Sequence, residues 1–363
     1  WPGMLLRILV PVLALILLEC APALAHGADE ARFASKIPGW VVLAAAAAAL
    51  VLSFLLVNRF KPAAHPDSES PTAYRSRGVE HIPILAWIFQ SPAVRVSARF
   101  ISVGLFLLVL ATGFFGHVHS KYNAAPELVW TLFWFGLSLF SFLIGNPWNA
   151  VNPWRAMFHW ASKAAGRNLS LGLRYPAALG IWPALILYVS FIWFELGWFQ
   201  AQGAGGGVNY FLLFTAWLWA GMAIFDPKSW WENANPYTRF FQVLGRFSPL
   251  EKRGDHIEVR IPGTALQASR LGHTSEAVFV IVVLFAVTFD GFVATPEWWV
   301  ILRRMMLKGF EILPRSLAFH ASFLFAILAG AALFSAAYFT VCGVMSRLSR
   351  GKRRMAEVAG EVA

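Results

Sequence analysis

Charged residues are scarce in this sequence: they make up 13% of its 363 residues, whereas 58% are hydrophobic. Such a shortage of charge excludes an ordinary soluble domain and is typical of a multi-pass membrane protein. Cysteine is also rare, since only Cys20 and Cys342 occur, and Cys20 falls within a predicted signal peptide. We therefore expect no disulfide bond in the mature chain.

Several enzyme signatures are missing from the sequence: it contains no phosphate-binding loop, no dinucleotide fingerprint and no nucleophile elbow. The net charge of +11 would suit a nucleic-acid-binding protein. However, the basic residues lie in loops between apolar spans, where membrane topology accounts for them. We therefore predict a lipid bilayer as a partner and no nucleic acid.

The N-terminal segment has the pattern of a secretory signal. Residues 1–3 precede the first methionine, Met4, and are interpreted as upstream read-through. Arg7 then leads into an apolar core that ends at Ala23-Leu24-Ala25, the small-residue pattern that signal peptidase cleaves. We predict cleavage after Ala25 and a mature chain that starts at His26. The alternative is an uncleaved first helix.

Apolar spans long enough to cross a bilayer as helices follow the signal peptide. The seven spans are Trp40–Val57, Phe100–Gly116, Leu128–Gly145, Tyr175–Phe194, Tyr210–Phe225, Ala277–Val293 and Leu317–Met345. They predict an all-α membrane protein, a bundle of about seven transmembrane helices after a cleaved signal peptide. We expect residues 26–346 to form the membrane domain and residues 347–363 to form a basic tail.

The distribution of Lys and Arg predicts the orientation of the bundle. The loops after spans one, three and five, together with the tail, hold 22 of the 30 Lys and Arg residues. Because positive loops stay inside, these segments are predicted to be cytoplasmic and the mature N-terminus periplasmic. We therefore expect the protein in the bacterial inner membrane.

Three segments between spans carry local structural signals. Asp226-Pro227 predicts a helix N-cap, and Asn235-Pro236 is expected to interrupt the amphipathic helix that follows. Alternating apolar residues at 257–261 predict a short β-hairpin. The stretch from Trp298 to Arg315 predicts an amphipathic helix on the outer surface.

Polar side chains cluster at the predicted outer level of the membrane. The set comprises His26, His117, His119, Glu195, Asp290 and His320. Asp290 is the most informative member, because a charge within a membrane span is costly and is expected to face the bundle interior beside a partner. We predict that the four histidines and Asp290 meet in one pocket open to the periplasm, with Glu195 close by.

The histidines in this set predict a divalent metal, copper or zinc. His26, His117, His119 and His320 are the expected metal ligands, and Asp290 and Glu195 the expected catalytic or ligand-orienting carboxylates. A free amine on His26 would add a chelate that suits copper. Each residue also has a structural alternative, such as contact with water, with headgroups or with a neighbouring helix.

A set of short motifs resembles bacterial multi-pass membrane proteins known as fenitrothion hydrolases. The motifs are His26-Gly27, Asn123-Ala124-Ala125-Pro126, Val129-Trp130, Asn152-Pro153-Trp154-Arg155, Asn235-Pro236-Tyr237, Phe247-Ser248-Pro249 and Thr288-Phe289-Asp290-Gly291-Phe292. The resemblance spans most of the mature chain in matching order.

The resemblance implies hydrolysis of aryl organophosphate triesters, which are lipophilic small molecules. In that reaction a metal-bound hydroxide would attack phosphorus, with Asp290 or Glu195 accepting a proton or orienting a ligand. The alternative function is copper or zinc handling without hydrolytic turnover. A structural partner subunit is a third interpretation.

Overall fold

The computed structural model shows an all-α membrane protein. It describes residues 76–78, 91–117, 119, 122–197, 206–253, 256–268 and 273–348. Within these residues, six helices are long and apolar enough to cross a membrane. They coincide with the last six predicted spans, which are thereby confirmed. The first predicted span, Trp40–Val57, and the signal peptide lie outside the described residues.

The six spanning helices differ in length and regularity. Their bounds, with those of the shorter helices, are α1 Pro92–Phe115, α2 Ala124–Leu143, α3 Trp148–Val151, α4 Pro153–Ala164, α5 Trp182–Gly197, α6 Gly206–Ile224, α7 Pro227–Ala234, α8 Pro236–Gly245, α9 Thr264–Ala268, α10 Thr274–Val293, α11 Pro296–Arg304 and α12 Arg315–Leu348. The segment Glu127–Gly136 within α2 has π-helical winding, and a 3-10 turn at Ala177–Leu179 precedes α5.

The outward faces of the spanning helices are apolar. Large exposed hydrophobic side chains include Phe100, Ile101, Leu107, Ile186, Leu213, Leu284, Val287, Phe325 and Leu333. In water such a surface would aggregate, whereas lipid tails cover it at no hydrophobic cost. The bundle therefore fits a bilayer as its surroundings.

Two ends of the bundle can be distinguished. Helices α5 and α10 begin together, since the N–H of Ile181 donates to Ser275 Oγ at 3.0 Å. Their far ends also lie near each other, because Asp290 is close enough to act electrostatically on Glu195. We call the end with Ile181 and Ser275 the basic end, and the end with Glu195 and Asp290 the carboxylate end.

Helices α7 and α8 form a hairpin that enters the bundle from the basic end. Asp226 caps α7 and Asn235 caps α8 through side-chain bonds to Ser229 N and Thr238 N, and proline opens both helices. The predicted cap and the predicted interruption are therefore confirmed. The charge pattern predicts a cytoplasmic loop for this segment, but its apex is fully buried, with Asn235 and Tyr237 at 0% exposure.

Ring contacts trace the path of this hairpin along its neighbours. Trp230 lies against Trp217 on α6 and against Phe225 just after that helix. Further on, Tyr237 reaches Phe214, which lies one turn from Trp217 toward the carboxylate end. Tyr237 also packs edge-on against Phe133 of α2. The apex thus lies among side chains from the middle of the spanning helices. Non-helical backbone at that depth is tolerated because protein surrounds it.

A small antiparallel sheet lies at the basic end. Strands β1 Ser76–Gly78, β2 Leu250–Arg253 and β3 His256–Arg260 pair in the order β1-β3-β2, so the predicted hairpin at 257–261 is confirmed. Arg260 is buried at the end of β3, where its guanidinium pairs with Glu251 at 2.7 Å and donates to the Gly245 carbonyl at 2.6 Å. This side chain ties the sheet to the C-terminus of α8.

The predicted amphipathic helix at the opposite end is present but shorter than expected. Helix α11 buries Trp298 and Leu302 and exposes Arg303 and Arg304. A π-helical turn, Met305–Gly309, ends it before the expected boundary at Arg315. Arg315 instead begins the long spanning helix α12.

Candidate functional site

Glu195 and Asp290 lie at the same end of the bundle, within electrostatic reach of each other. Glu195 lies two residues before the end of α5, and Asp290 lies three residues before the end of α10. Because these helices begin side by side, similar lengths bring the two carboxylates to a similar level, as the sequence predicted. The electrostatic effect of Asp290 on Glu195 reflects this proximity.

The two carboxylates differ in their surroundings. Glu195 is half-buried, whereas Asp290 is exposed on the surface of the chain beside the buried ring of Phe289. The expectation that Asp290 faces the bundle interior therefore differs from the structure. Its position in the last turn of α10 explains the difference, since solvent and headgroups are within reach there. A molecule from outside the bundle can thus meet Asp290 first.

Aromatic side chains with polar tips surround Glu195. The indole of Trp134 lies close enough to its carboxylate to favour the charged form. Three tyrosines, Tyr188, Tyr210 and Tyr237, lie close enough to be influenced by its charge. Trp134 belongs to the π-helical part of α2, and such winding is frequent at functional sites.

The tyrosine hydroxyls give this region hydrogen-bonding capacity. Tyr210 is 3.4 Å from Ser190 Oγ, and its ring stacks on Phe194 at 4.5 Å. Tyr188 is almost fully buried, with 2% of its surface exposed. An anion that formed beside Glu195 would find hydroxyl and indole donors in an otherwise apolar environment.

His320 lies at the same end of the bundle. Its Nδ1 is 3.0 Å from the carbonyl oxygen of Gly197, and its own carbonyl accepts from Trp193 Nε1 at 3.0 Å. Because a carbonyl only accepts, Nδ1 carries the proton and Nε2 carries the lone pair. This orientation is the one that metal-ligating histidines adopt when a backbone carbonyl holds them.

The pair His117 and His119 has a different geometry. Both side chains are exposed after the end of α1, and their ring centroids are 5.3 Å apart. His117 Nδ1 accepts from the backbone N–H of His119 at 3.0 Å, so the proton of the neutral ring is on Nε2. In this arrangement His117 helps to close a turn, and metal binding through Nε2 would require the other tautomer.

The turn that carries His117 is fixed by Asn123. The Asn123 amide donates to the carbonyls of Thr112 and His117 at 2.7 and 2.9 Å, and its Oδ1 caps the start of α2. Gly116 is required beside it, since a Cβ there would lie 2.5 Å from the Asn123 amide nitrogen. These bonds account for part of the Asn123-Ala124-Ala125-Pro126 motif in structural terms.

Only some of the predicted metal ligands lie in the part of the chain that the structure describes. Among the residues that the structure describes, no three His, Cys, Asp or Glu side chains are grouped so that they could hold one metal ion. His26 lies outside those residues. The donors present therefore do not make a metal site by themselves, and a site that includes His26, His117, His119 and His320 stays a prediction.

Sequence reasoning missed the aromatic groups around Glu195. Trp134, Tyr188, Tyr210 and Tyr237 were hidden among many apolar and aromatic residues. The Asn235-Pro236-Tyr237 motif was the available signal, because a helix break within an apolar chain often marks a buried functional segment. No family model, curated protein or solved structure matches the chain.

Proposed function

We propose that this membrane protein hydrolyses a lipophilic ester at the carboxylate end, with Glu195 and Asp290 as its proton-accepting groups. The resemblance of its motifs implies that aryl organophosphate triesters are the substrate class. The observation that supports the proposal is that two carboxylates from separate spanning helices lie within electrostatic reach of each other, and that indole and phenol groups lie near Glu195. Two such carboxylates repel each other, and a proton transferred to either of them relieves that repulsion.

The reaction would be general-base hydrolysis at phosphorus. A carboxylate of the pair removes a proton from water while the water oxygen forms a bond to phosphorus and the bond to the aryl oxygen breaks. The products are an aryl oxide and a phosphodiester, and the carboxyl group then returns its proton to the aryl oxide or to solvent. Trp134 and Tyr210 lie near Glu195 and would donate hydrogen bonds to the charge that develops there.

Substrate access follows from the exposure of the pair. Asp290 is exposed at the rim, and helix α11 beside it presents Trp299 and Val300 to the surroundings. An aryl triester that partitions into the bilayer interface would therefore reach Asp290 from an apolar side. Glu195, which is half-buried, would act further inside the bundle.

The test compares two glutamates at the same end of the protein. Glu195→Gln removes a member of the pair, whereas Glu127→Gln removes an exposed glutamate that bonds only Thr131 in the described structure. Both variants and the full wild-type chain are purified in lipid nanodiscs. Release of 4-nitrophenolate from diethyl 4-nitrophenyl phosphate is then followed by absorbance, and gel filtration checks that each variant is folded.

We expect Glu195→Gln to lose about 100-fold or more in rate, the usual contribution of a general base. Glu127→Gln is expected to stay within about twofold of the wild type, because it leaves the pair intact. A folded wild type with no turnover above buffer would contradict the proposal. So would a Glu195→Gln variant with the full wild-type rate.

Metal handling remains the alternative function, and the orientation of His320 is what favours it. A complete site would need His26 as a further donor, since the described residues contain no group of three. Elemental analysis of the purified wild type and of His26→Ala and His320→Ala tests this. Stoichiometric zinc or copper that either replacement removes would support the site, and a metal-free wild type would contradict it.

A further inference from the structure

A groove at the basic end of the bundle is lined by basic side chains. It has a volume of about 670 Å³ and lies between helix α4, the loop that follows it and the start of α7. Arg155, His159 and Lys163 follow one another along α4 at intervals of four residues, so they form one stripe on its surface. The groove therefore has one wall made of a helix face with three nitrogen-bearing side chains.

The opposite sides of the groove add charge and an apolar floor. Arg167 and Lys228 line its rim, while the buried side chains of Phe158 and Met222 lie beneath. A lining with cations above and hydrocarbon below suits an amphiphilic anion better than a free inorganic ion.

The positive charge of the groove is only partly offset within it. Among the described lining residues Asp226 is the one carboxylate, and it accepts from the backbone N–H and hydroxyl of Ser229 at 2.8 and 2.7 Å and interacts electrostatically with Lys228. It carries one negative charge against the four cations Arg155, Lys163, Arg167 and Lys228. In the part of the chain that the structure describes, Arg155, Lys163 and Arg167 have no ion pair. Positive-inside topology explains why cations lie on this face, but it does not explain why they converge on one groove.

The loop beside the groove is held in a defined conformation. Gly166 takes a left-handed φ of 64° just after α4, which turns the chain toward Arg167. Asn168 Oδ1 accepts from the N–H of Ser170 at 3.0 Å, and the Ser170 hydroxyl donates to the Phe225 carbonyl at 2.7 Å. The loop is thus fixed to the segment that starts α7, and both rims of the groove keep their spacing.

We propose that this groove binds the phosphate group of an anionic phospholipid. Arg155 and Arg167 supply planar guanidinium donors that match phosphate oxygens, and Lys163 and Lys228 supply point charges. The glycerol and the first acyl carbons would lie over Phe158 and Met222. A soluble phosphate monoester offers the same anionic group without the apolar part, and the experiment separates these two sources.

The experiment measures lipid binding to the full chain in a neutral detergent. Delipidated protein is titrated with phosphatidylglycerol, with phosphatidylcholine and with glycerol 3-phosphate, and bound molecules are counted by native mass spectrometry. Arg155→Gln with Lys163→Gln changes the helix wall of the groove. Arg174→Gln with Lys252→Gln is the matched control, since it removes two exposed cations at the same end outside the groove lining.

We expect phosphatidylglycerol to bind the wild type at least tenfold more tightly than phosphatidylcholine. The groove variant should lose about tenfold or more in phosphatidylglycerol affinity, and the control should change by less than about twofold. A second groove variant, Arg167→Gln with Lys228→Gln, should lose affinity in the same way, which guards against misfolding of the first.

The other outcomes are also decisive. Glycerol 3-phosphate that binds as tightly as the lipid would show that the apolar floor contributes nothing, and it would overturn the phospholipid assignment. A groove variant that binds phosphatidylglycerol like the wild type would overturn the site. Equal losses in groove variant and control would reduce the effect to general surface charge and would contradict the proposal as well.

Discussion

The two ends of the bundle differ in the sign of the charged side chains at their candidate sites and in how exposed those side chains are. At the carboxylate end, Glu195 is half-buried among rings near the indole of Trp134, and Asp290 lies at the rim within electrostatic reach of it. At the basic end, Arg155, Lys163 and Arg167 are exposed around an open groove. One carboxylate of the pair thus lies partly inside the protein, whereas the cations that line the groove stay where water and headgroups solvate them.

This difference indicates a division of roles. A half-buried carboxylate in an apolar setting is suited to proton transfer, because the surroundings exclude water and strengthen electrostatic effects. Exposed cations with long stems are suited to holding a charged headgroup, since they adapt to it at little desolvation cost. The hairpin of α7 and α8 links the two ends of the bundle, because it starts at Asp226 in the groove and brings Tyr237 close to Glu195.

The largest effect is expected from a substitution that displaces the hairpin from its packing site on α6. Gly221 on α6 lies directly under Trp230, and a Cβ there would be 1.9 Å from the indole ring. We expect Gly221→Ala to destabilise the protein by at least about 1–3 kcal/mol, because the large ring is packed and cannot move aside. Thermal unfolding in detergent, followed by tryptophan fluorescence, measures the effect.

Gly104→Ala is the matched control for that substitution. Gly104 also lies within a spanning helix, but no atom lies within 4 Å of a Cβ built on it. We expect this variant to match or slightly exceed the wild type in stability, since alanine favours the helix. Equal destabilisation by the two substitutions would show that the hairpin is not packed against α6 as described.

A smaller effect is expected where the hairpin begins. The hydroxyl and backbone N–H of Ser229 hold the pKa of Asp226 below its usual range. A depressed pKa means that the carboxylate stabilises the fold above the ordinary aspartate pKa, and that this contribution is lost as pH falls through the folded value. Asp226→Ala should therefore cost about 0.5–1 kcal/mol at pH 7, and less below about pH 4.

Asp226→Asn separates the contribution of the capping oxygen from that of the charge. The asparagine oxygen still caps α7, so the loss at pH 7 should be smaller than for alanine and nearly independent of pH. Unfolding midpoints of the three proteins at pH 7 and at pH 3.5 test this expectation. A gap between wild type and Asp226→Ala that widens in acid would have the wrong sign and would contradict the cap.

Sequence alone predicted the parts of the fold that depend on long apolar runs and on local caps. The structure confirms the last six spans, the Asp226 cap and the hairpin at 257–261. Each of these features depends on residues that are close together in the sequence, so the sequence could predict it. The sequence did not predict that α7 and α8 lie inside the bundle. Their apolar faces resemble those of an interfacial helix, and only the packing around Asn235 distinguishes the two.

The candidate site was predictable in part for a similar reason. The level of Glu195 and Asp290 followed from counting residues along helices of known rise. Their neighbours Trp134, Tyr188 and Tyr210 depend on how α2, α5 and α6 rotate against one another, which hydropathy does not encode. The turn at His117 was equally hidden, since its bonds come from Asn123 and from the backbone of His119.

The central claim is that Glu195 and Asp290 act as one unit, and a double-mutant cycle tests it most directly. Rates of aryl oxide release are measured for the wild type, Glu195→Gln, Asp290→Asn and the double variant in the same nanodiscs. The account predicts that the double variant is little worse than the poorer single variant, because residues that act together are strongly non-additive. If every variant is folded and the rate losses of the two single variants multiply in the double variant, the two side chains act independently. That result would contradict the central claim.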